Sequence, residues 1–364
     1  MPSQIGSSDA RRLLGAGLFA GVVLSAAPAC ADIKQFRDWI AACDNLRACS
    51  AYGFDAELSG SNYIRLERAG AADAPLRITI AVDAQKDVKF KLAFDDPALA
   101  GLPTEAVAGD ANADDDFKRV AMSEPQAVAT ALASLRKAKT LVITRVDPPG
   151  APASDPIKSE VSLSGLAAAL LWIDDQQKRV GSVTALIGRG DKPAAAVPAV
   201  PALPVVTAAK RATGPVPKKA PAAVIAKARA VCEDKKLGEP DDIARLGAND
   251  VMYSFVCRNL SGAYNYFNAL VIDSPGTPVR LAEFRFPREY GATERDYSPI
   301  NAGFDAATQT LSTFNKGRGL GDCGSTSDWV WDGQAFRLLL SKAMPECHGI
   351  GESDWPVLYR AERK

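Results

Sequence analysis

Histidine is almost missing from this chain: His348 is the single one in 364 residues. There is no C-x-x-C either, so a tetrahedral zinc site has too few ligands in the right spacing. The patterns G-x-S-x-G, H-E-x-x-H and the P-loop are absent, which removes the commonest hydrolase, zincin and phosphate-cradling motifs. Charge of one sign is not in excess, with 43 Lys+Arg against 43 Asp+Glu. That balance argues against nucleic acid as the main partner. No segment repeats at solenoid or propeller periods.

What is present begins with an export signal. Arg11 and Arg12 precede the apolar run LLGAGLFAGVVLSAA, and Ala29-Cys30-Ala31 forms an A-x-A cleavage site. The run is too short for a comfortable membrane span. Residues 1–31 therefore read as a signal peptide and the mature chain as starting at Asp32, with no transmembrane segment left after cleavage. An uncleaved anchor is one alternative and acylation of Cys30 another. The paired arginines permit the twin-arginine route.

Loss of Cys30 leaves six cysteines: Cys43, Cys49, Cys232, Cys257, Cys323 and Cys347. An even number in an exported chain reads as disulfides. Sequence order favours neighbours, giving Cys43–Cys49, Cys232–Cys257 and Cys323–Cys347.

The length points to two domains of roughly 150 residues each, and the fold class is α+β. Residues 192–229 are the boundary, with seven prolines, many alanines, seven basic residues and no acid. Proline fixes φ and removes donors, so an extended basic spacer with few contacts between the flanking domains is expected. Such a spacer is either solvated or in loose contact with anionic envelope polymers or lipid head groups. Residues 32–191 read as an α+β domain of antiparallel strands and two helices. FRDWIAAC and ACSAYGF are strands joined by the turn DNLR, and VKFKLAF alternates with Val88, Phe90, Leu92 and Phe94 on one face. Ser123-Glu-Pro-Gln126 reads as a capping box for one helix, and Leu163, Leu166, Leu170 and Ile173 stripe a second that ends before Gly181. Residues 230–364 read as a mostly antiparallel β domain, with Asp332-Gly333 as a hairpin turn.

Gly319-Leu-Gly321-Asp-Cys-Gly324 matches G-x-G-x-x-G, yet the residues after it read as a hairpin. Without a helix N-terminus a pyrophosphate has no dipole to rest on. Gly317, Gly319, Gly321 and Gly324 read instead as a wide turn of positive φ stapled by Cys323. Cys347 beside His348 looks like a nucleophile and base, but sequence neighbours on extended chain point apart. His348 then reads as a surface residue. Asp114 to Asp116 read as a solvated acidic run, and only one of Asp174 and Asp175 faces the core. The tryptophans are read first as core; if exposed beside Arg318 and Asp322, then Trp329, Trp331 and Trp355, with His348, form a ligand platform.

Three stretches carry a resemblance: DWIAACDNLRACSAYGF, SLSGLAAALLWIDDQQ, and TLSTFNKGRGLGDCGSTSDWVWDGQAFRLL with its following CHG and WPVLYRA. They resemble an exported proteobacterial domain of unknown function, number eleven seventy-six, marked by six cysteines. The first half also resembles the invasion-associated locus B proteins. The resemblance implies that the six cysteines are disulfide-bonded and supplies no catalytic residue and no cofactor.

The reading that follows is an exported periplasmic protein, disulfide-bonded, without cofactor, acting as a non-enzymatic binding or scaffold protein of the cell envelope. Its partner is an envelope protein or polysaccharide. An envelope hydrolase or transferase whose carboxylates converge only in the fold remains open, as does an inhibitor of an extracellular enzyme. N-terminal sequencing of exported protein should start at Asp32; an acylated Cys30 or an intact Met1 would overturn the leader assignment.

Overall fold

The computed structural model describes residues 32–55, 62–83, 89–103, 117–146, 158–210, 214–287 and 297–364. Residues 1–31, read above as a signal peptide, Val88 and the run at Asp114 to Asp116 lie outside them. The first half runs β1 (Asp32–Phe36), β2 (Trp39–Cys43), β3 (Cys49–Phe54), β4 (Tyr63–Arg68), β5 (Arg77–Asp83), β6 (Lys89–Phe94) and β7 (Phe117–Met122). Then come α1 (Pro125–Leu135), β8 (Thr140–Val146), β9 (Lys158–Ser162) and α2 (Leu166–Gln176). Six strands form one antiparallel sheet in the order β1-β2-β3-β4-β5-β7, and β6-β8-β9 form a second.

Local chemistry explains most of these elements. In β6, Phe90, Leu92 and Phe94 are buried while Lys89 and Lys91 face solvent, as period-two alternation requires. The β2–β3 turn is held by Asp44, whose Oδ1 accepts from the amides of Leu46 at 2.9 Å and Ala48 at 2.8 Å. Cys43 and Cys49 face each other across the register and are bonded. FRDWIAAC is not one strand: the chain turns at Arg37, φ 55°, and β1 folds back on β2. The cap of α1 is Glu124 rather than Ser123. Its carboxylate accepts from the amides of Gln126 and Ala127, which its longer side chain reaches, with Pro125 at the first helical position. Helix α2 stops at Gln176, five residues before Gly181, and its entry is the positive-φ Gly165.

The sheet of β1–β5 and β7 is covered on both faces. Trp39, Ala41, Ile64, Leu66, Ile78 and Ile80 point to α1, α2 and the smaller sheet. Trp39 lies opposite Gly53, where an added Cβ would sit 2.5 Å from the indole; only glycine permits that approach. Ile40, Tyr52, Phe54, Tyr63 and Ala81 point the other way, into a core with Cys323, Met344, Ile350 and Trp355 from the second half.

That second half follows β10 (Val205–Val206) and α3 (Ala222–Cys232). One sheet holds β11 (Asp242–Leu246), β12 (Asp250–Val256), β13 (Asn268–Asp273) and β14 (Arg280–Leu281). Another holds β15 (Phe284–Arg285), β16 (Gly303–Asp305), β17 (Thr310–Lys316), β18 (Gly324–Trp331), β19 (Phe336–Met344) and β20 (Val357–Arg360). β21 (Glu362–Arg363) pairs in parallel with β10. The β18–β19 turn is the Asp332-Gly333 turn: Asp332 Oδ1 accepts from the amides of Gln334 and Ala335, both at 2.8 Å, and Gly333 has φ 99°.

The segment 192–229 is not a free spacer. Its alanine-rich end begins α3, which buries Val224, Ala228 and Cys232 against β12 and β13. Its proline-rich part is laid on the body: Arg47 donates to the carbonyl of Pro198 at 2.9 Å, and the amide of Ala209 to Trp331 O at 2.8 Å. Proline removes donors but leaves carbonyls, and neighbouring groups find them. The expectation of few contacts between the halves also fails, because the core around Tyr52 and Trp355 is built by both.

The pairs Cys232–Cys257 and Cys323–Cys347 are bonded as sequence order suggests. The latter closes a loop with a sequence separation of 24, and Cys323 lies in the shared core. Cys323→Ser should cost about 3 kcal/mol by loop entropy, and the Cys323→Ser/Cys347→Ser pair little more, since one bond is lost. Calorimetry should show one transition for the whole chain, shifted down; two transitions, with only one displaced, would mean that the halves melt independently.

Candidate functional site

The shared face of the first sheet is apolar at one end and charged at the other. Tyr63, Arg65 and Glu67 alternate along β4, so all three stand on the face that meets the second half. Arg119 enters from β7, two strands away. Asp354 arrives from the opposite side, on the short turn Glu352–Asp354 that follows the third disulfide. Its Oδ1 accepts from Arg65 Nη1 at 2.8 Å, and its Oδ2 from Arg119 Nη2 at 2.5 Å and Nε at 3.1 Å. The Tyr63 hydroxyl also donates to Oδ2, and the Tyr52 hydroxyl to the Asp354 carbonyl at 2.8 Å. Arg65 Nε lies 3.0 Å from Glu67 Oε2.

Burial pushes the Asp354 carboxyl up, but the Tyr63 hydroxyl and the two guanidiniums outweigh it and hold the group below the usual carboxylate range. Burial, reinforced by the anionic Asp354, pushes the Tyr63 hydroxyl up. Burial does the same to Tyr52. The phenols therefore stay neutral donors and the carboxylate stays charged. The arrangement is a clamp between the halves, and its groups are committed to one another.

Beside the clamp opens a groove of about 520 Å³ between the ends of β3–β5 and residues 353–360. Four arginines reach it: Arg65, Arg68, Arg77 and Arg360. Arg68 pairs with the buried Asp174 at 2.8 Å, and Arg360 Nε lies 2.6 Å from Asp44. Arg77 is exposed and sits opposite Glu67 in the register. Asp174 is fully buried and accepts, besides Arg68, the amides of Leu186, Ile187 and Gly188. It is the core-facing member of the Asp174–Asp175 pair, and it ties α2 to β4.

The residues singled out in the sequence behave differently. Trp329, Trp331 and Trp355 are at most 3% exposed, so they form no platform. Their indole N–H groups donate to Thr313 Oγ1, Asp250 Oδ2 and Ile350 O, which satisfies the one polar atom of each ring and lets the rest pack. His348 is no surface residue: its ring stacks on Phe54 at 4.0 Å, and Nε2 lies 3.0 Å from Glu346 Oε2. Arg318 and Asp322 form a two-bond pair at 2.7 and 2.5 Å, and Asp322 Oδ2 also accepts from Gly349 N. They pin the glycine turn to the loop holding Cys347. Burial raises the Asp322 carboxyl, but Arg318 and the Gly349 amide outweigh this and lower it. Asp322, Cys323 and Cys347 group their ligand atoms within 4.8 Å, but the two sulfurs are spent on each other. In the glycine turn only Gly321 and Gly324 have positive φ. Gly317 serves close approach, since a Cβ there would meet Cys323 Sγ at 2.6 Å. Gly324 opens strand β18 and no helix.

A family described as "Protein of unknown function (DUF1176)" matches residues 33–362. The chain belongs to this family. The match spans both halves and the proline-rich segment. The uncharacterized protein YpfG of Escherichia coli (strain K12) is 36% identical over 207 residues, covering 55% of this chain and 59% of YpfG. The chain thus matches about three-fifths of that relative's length. Among solved structures, invasion associated protein b from Bartonella henselae matches 41% of this chain and 99% of its own at 16% identity. Its TM-score of 0.30 establishes no shared fold.

Sequence reasoning missed the clamp. Arg65 and Glu67, alternating with the buried Ile64 and Leu66 along β4, were a usable sign of a charged partner; nothing local marked Asp354. Asp354→Ala should destabilise the chain by about 3 kcal/mol, since two partly buried guanidiniums lose their partner. The lowered carboxyl contributes fully above the unfolded value of about 3.9 and loses that contribution as pH falls through its folded value. The stability gap between wild type and Asp354→Asn should therefore be full at neutral pH and narrow progressively as pH falls below about 4. A gap that persists at the acid end, or none at neutral pH, would remove the clamp.

Proposed function

We propose that this chain is an exported, periplasmic, disulfide-bonded protein that works by binding within the cell envelope rather than by catalysis. The observation that carries this reading is the placement of the three bridges. Five of the six half-cystines are buried in packed cores, and one bridge sits in the seam that joins the halves. A fold whose central seam contains a cystine depends on an oxidising compartment. The commitment of Asp354, Tyr63 and His348 to internal contacts supports a scaffold role. Exposed Arg77 and half-exposed Arg360 beside the groove supply a surface for an envelope protein or polysaccharide.

Two measurements test the reading. Protein made with its own leader should be recovered from the periplasm without free thiols; recovery from the cytoplasm with reduced cysteines would overturn the export assignment. Purified protein mixed with isolated cell envelopes should co-sediment to saturation, and Arg77→Glu should weaken this severalfold with an unchanged melting temperature, as expected when charge complementarity is reversed. Release of soluble envelope fragments with turnover would show an enzyme instead.

A further inference from the structure

We infer that the cleft on the β17–β18 surface, uncharged in its described lining, is a carbohydrate-binding site that takes a neutral sugar of one or two rings. This rests on the binding reading above and names a ligand class for it. The cleft holds about 300 Å³, at the lower end of the range of about 300–1,000 Å³ for small-molecule sites.

Its lining follows from the strand register. Thr313 pairs with Ser327 and Asn315 with Ser325, so alternation puts these four side chains on one face. Tyr297 and Ile300 close the other side. In a chain that is 24% charged, no described lining residue carries a charge. A charged ligand would find no counter-charge in the described lining, and a wholly apolar one would desolvate the Asn315 amide and the Ser325 hydroxyl without return. A sugar suits both halves of the lining. Its hydroxyls donate and accept, as serine, threonine and asparagine side chains do, and its C–H face lies well on an aromatic ring.

Tyr297 is already fixed for that purpose. Its ring lies 4.8 Å from Trp329 and 4.7 Å from Phe284, centroid to centroid. Its hydroxyl is 2.6 Å from Thr313 Oγ1, which also receives the Trp329 indole N–H. Asn315 Oδ1 accepts from Asn265 at 3.2 Å, which orients the amide so that its NH₂ group can donate. A rigid aromatic wall and an oriented amide cut the ordering cost of binding. Glycoside cleavage needs a pair of carboxyls flanking the bond. Among the described residues the nearest in sequence, Asp328, sits between Ser327 and Trp329 on the opposite face and accepts from Ser312 at 2.7 Å. The described lining therefore offers contacts to a sugar and no such pair.

The test titrates the purified full chain with chitotetraose and with maltotetraose, both neutral, by calorimetry and by tryptophan fluorescence, since Trp329 touches Tyr297. Binding of at least one with Kd of about 1 mM or tighter is expected for a contact of this size. Ser325→Trp fills the cleft and should weaken it about tenfold or more with an unchanged melting temperature. Tyr297→Ala should weaken it about tenfold, while Tyr297→Phe keeps the ring and stays within about threefold. A hyaluronan tetrasaccharide should bind no better than the neutral sugars. Absence of binding by both neutral sugars up to about 10 mM, binding that survives Ser325→Trp, or binding of the anionic sugar alone would each overturn the assignment. If the sugars fail while Arg77→Glu still loses envelope binding, only the carbohydrate assignment falls.

Discussion

The first sheet must be covered on both faces, and the rest of the molecule follows from that requirement. Strand β2 is buried at every position, and a strand buried on both sides cannot end its packing at one layer of helices. Trp39 and its neighbours use α1 and α2; Tyr52, Phe54 and Tyr63 need a second cover. The second half supplies it with Met344, Ile350, Trp355 and the Cys323 half-cystine. Left alone, the first sheet would show a large apolar face to water, a liability that soluble domains rarely carry. The halves are consequently one cooperative body, and the proline-rich segment between them is a strap over it.

Charge then completes what apolar burial begins. Where the shared face runs out of hydrophobic side chains, Arg65, Arg119 and Tyr63 converge on Asp354. A carboxylate taken from water is costly unless its hydrogen-bonding capacity is met, and here Tyr63 and two guanidiniums meet it. Asp174 solves the same problem deeper inside with Arg68 and three backbone amides. Both centres join elements far apart in sequence, which makes them fasteners of topology rather than isolated surface pairs.

The surfaces left over differ in kind. The groove beside the clamp is framed by arginines, most of them already engaged, with Arg77 and Arg360 facing outward. The cleft on β17–β18 is neutral and hydroxyl-lined. A body that is fastened internally and cross-linked three times presents such surfaces rigidly, and rigidity lowers the cost of recognition.

Local signals were legible in the sequence because their causes are local. The alternation of Phe90, Leu92 and Phe94 and the Asp332-Gly333 turn each depend on a few adjacent residues, and each cystine joins cysteines that are next to one another in cysteine order. The α+β class follows from the same periodicities. Capping by Glu124 in place of Ser123 shows the limit even there, since which side chain reaches the amides depends on the entry angle of the chain. The proline-rich segment misled because composition reports what a chain cannot form by itself, not what a neighbour can do with its carbonyls. Trp329, Trp331 and Trp355 were ambiguous for the same reason: an aromatic with one polar atom suits a core or a platform, and only the position of Thr313, Asp250 and the Ile350 carbonyl decides. The clamp at Asp354 was beyond sequence reasoning altogether. Its members are separated by up to 291 residues, and no short-range pattern can encode which carboxylate folds back onto Tyr63, Arg65 and Arg119. The sequence by itself determined the elements and the cross-links; the tertiary structure alone decided which faces meet, because burial of the second face of a sheet is a property of two halves and of neither.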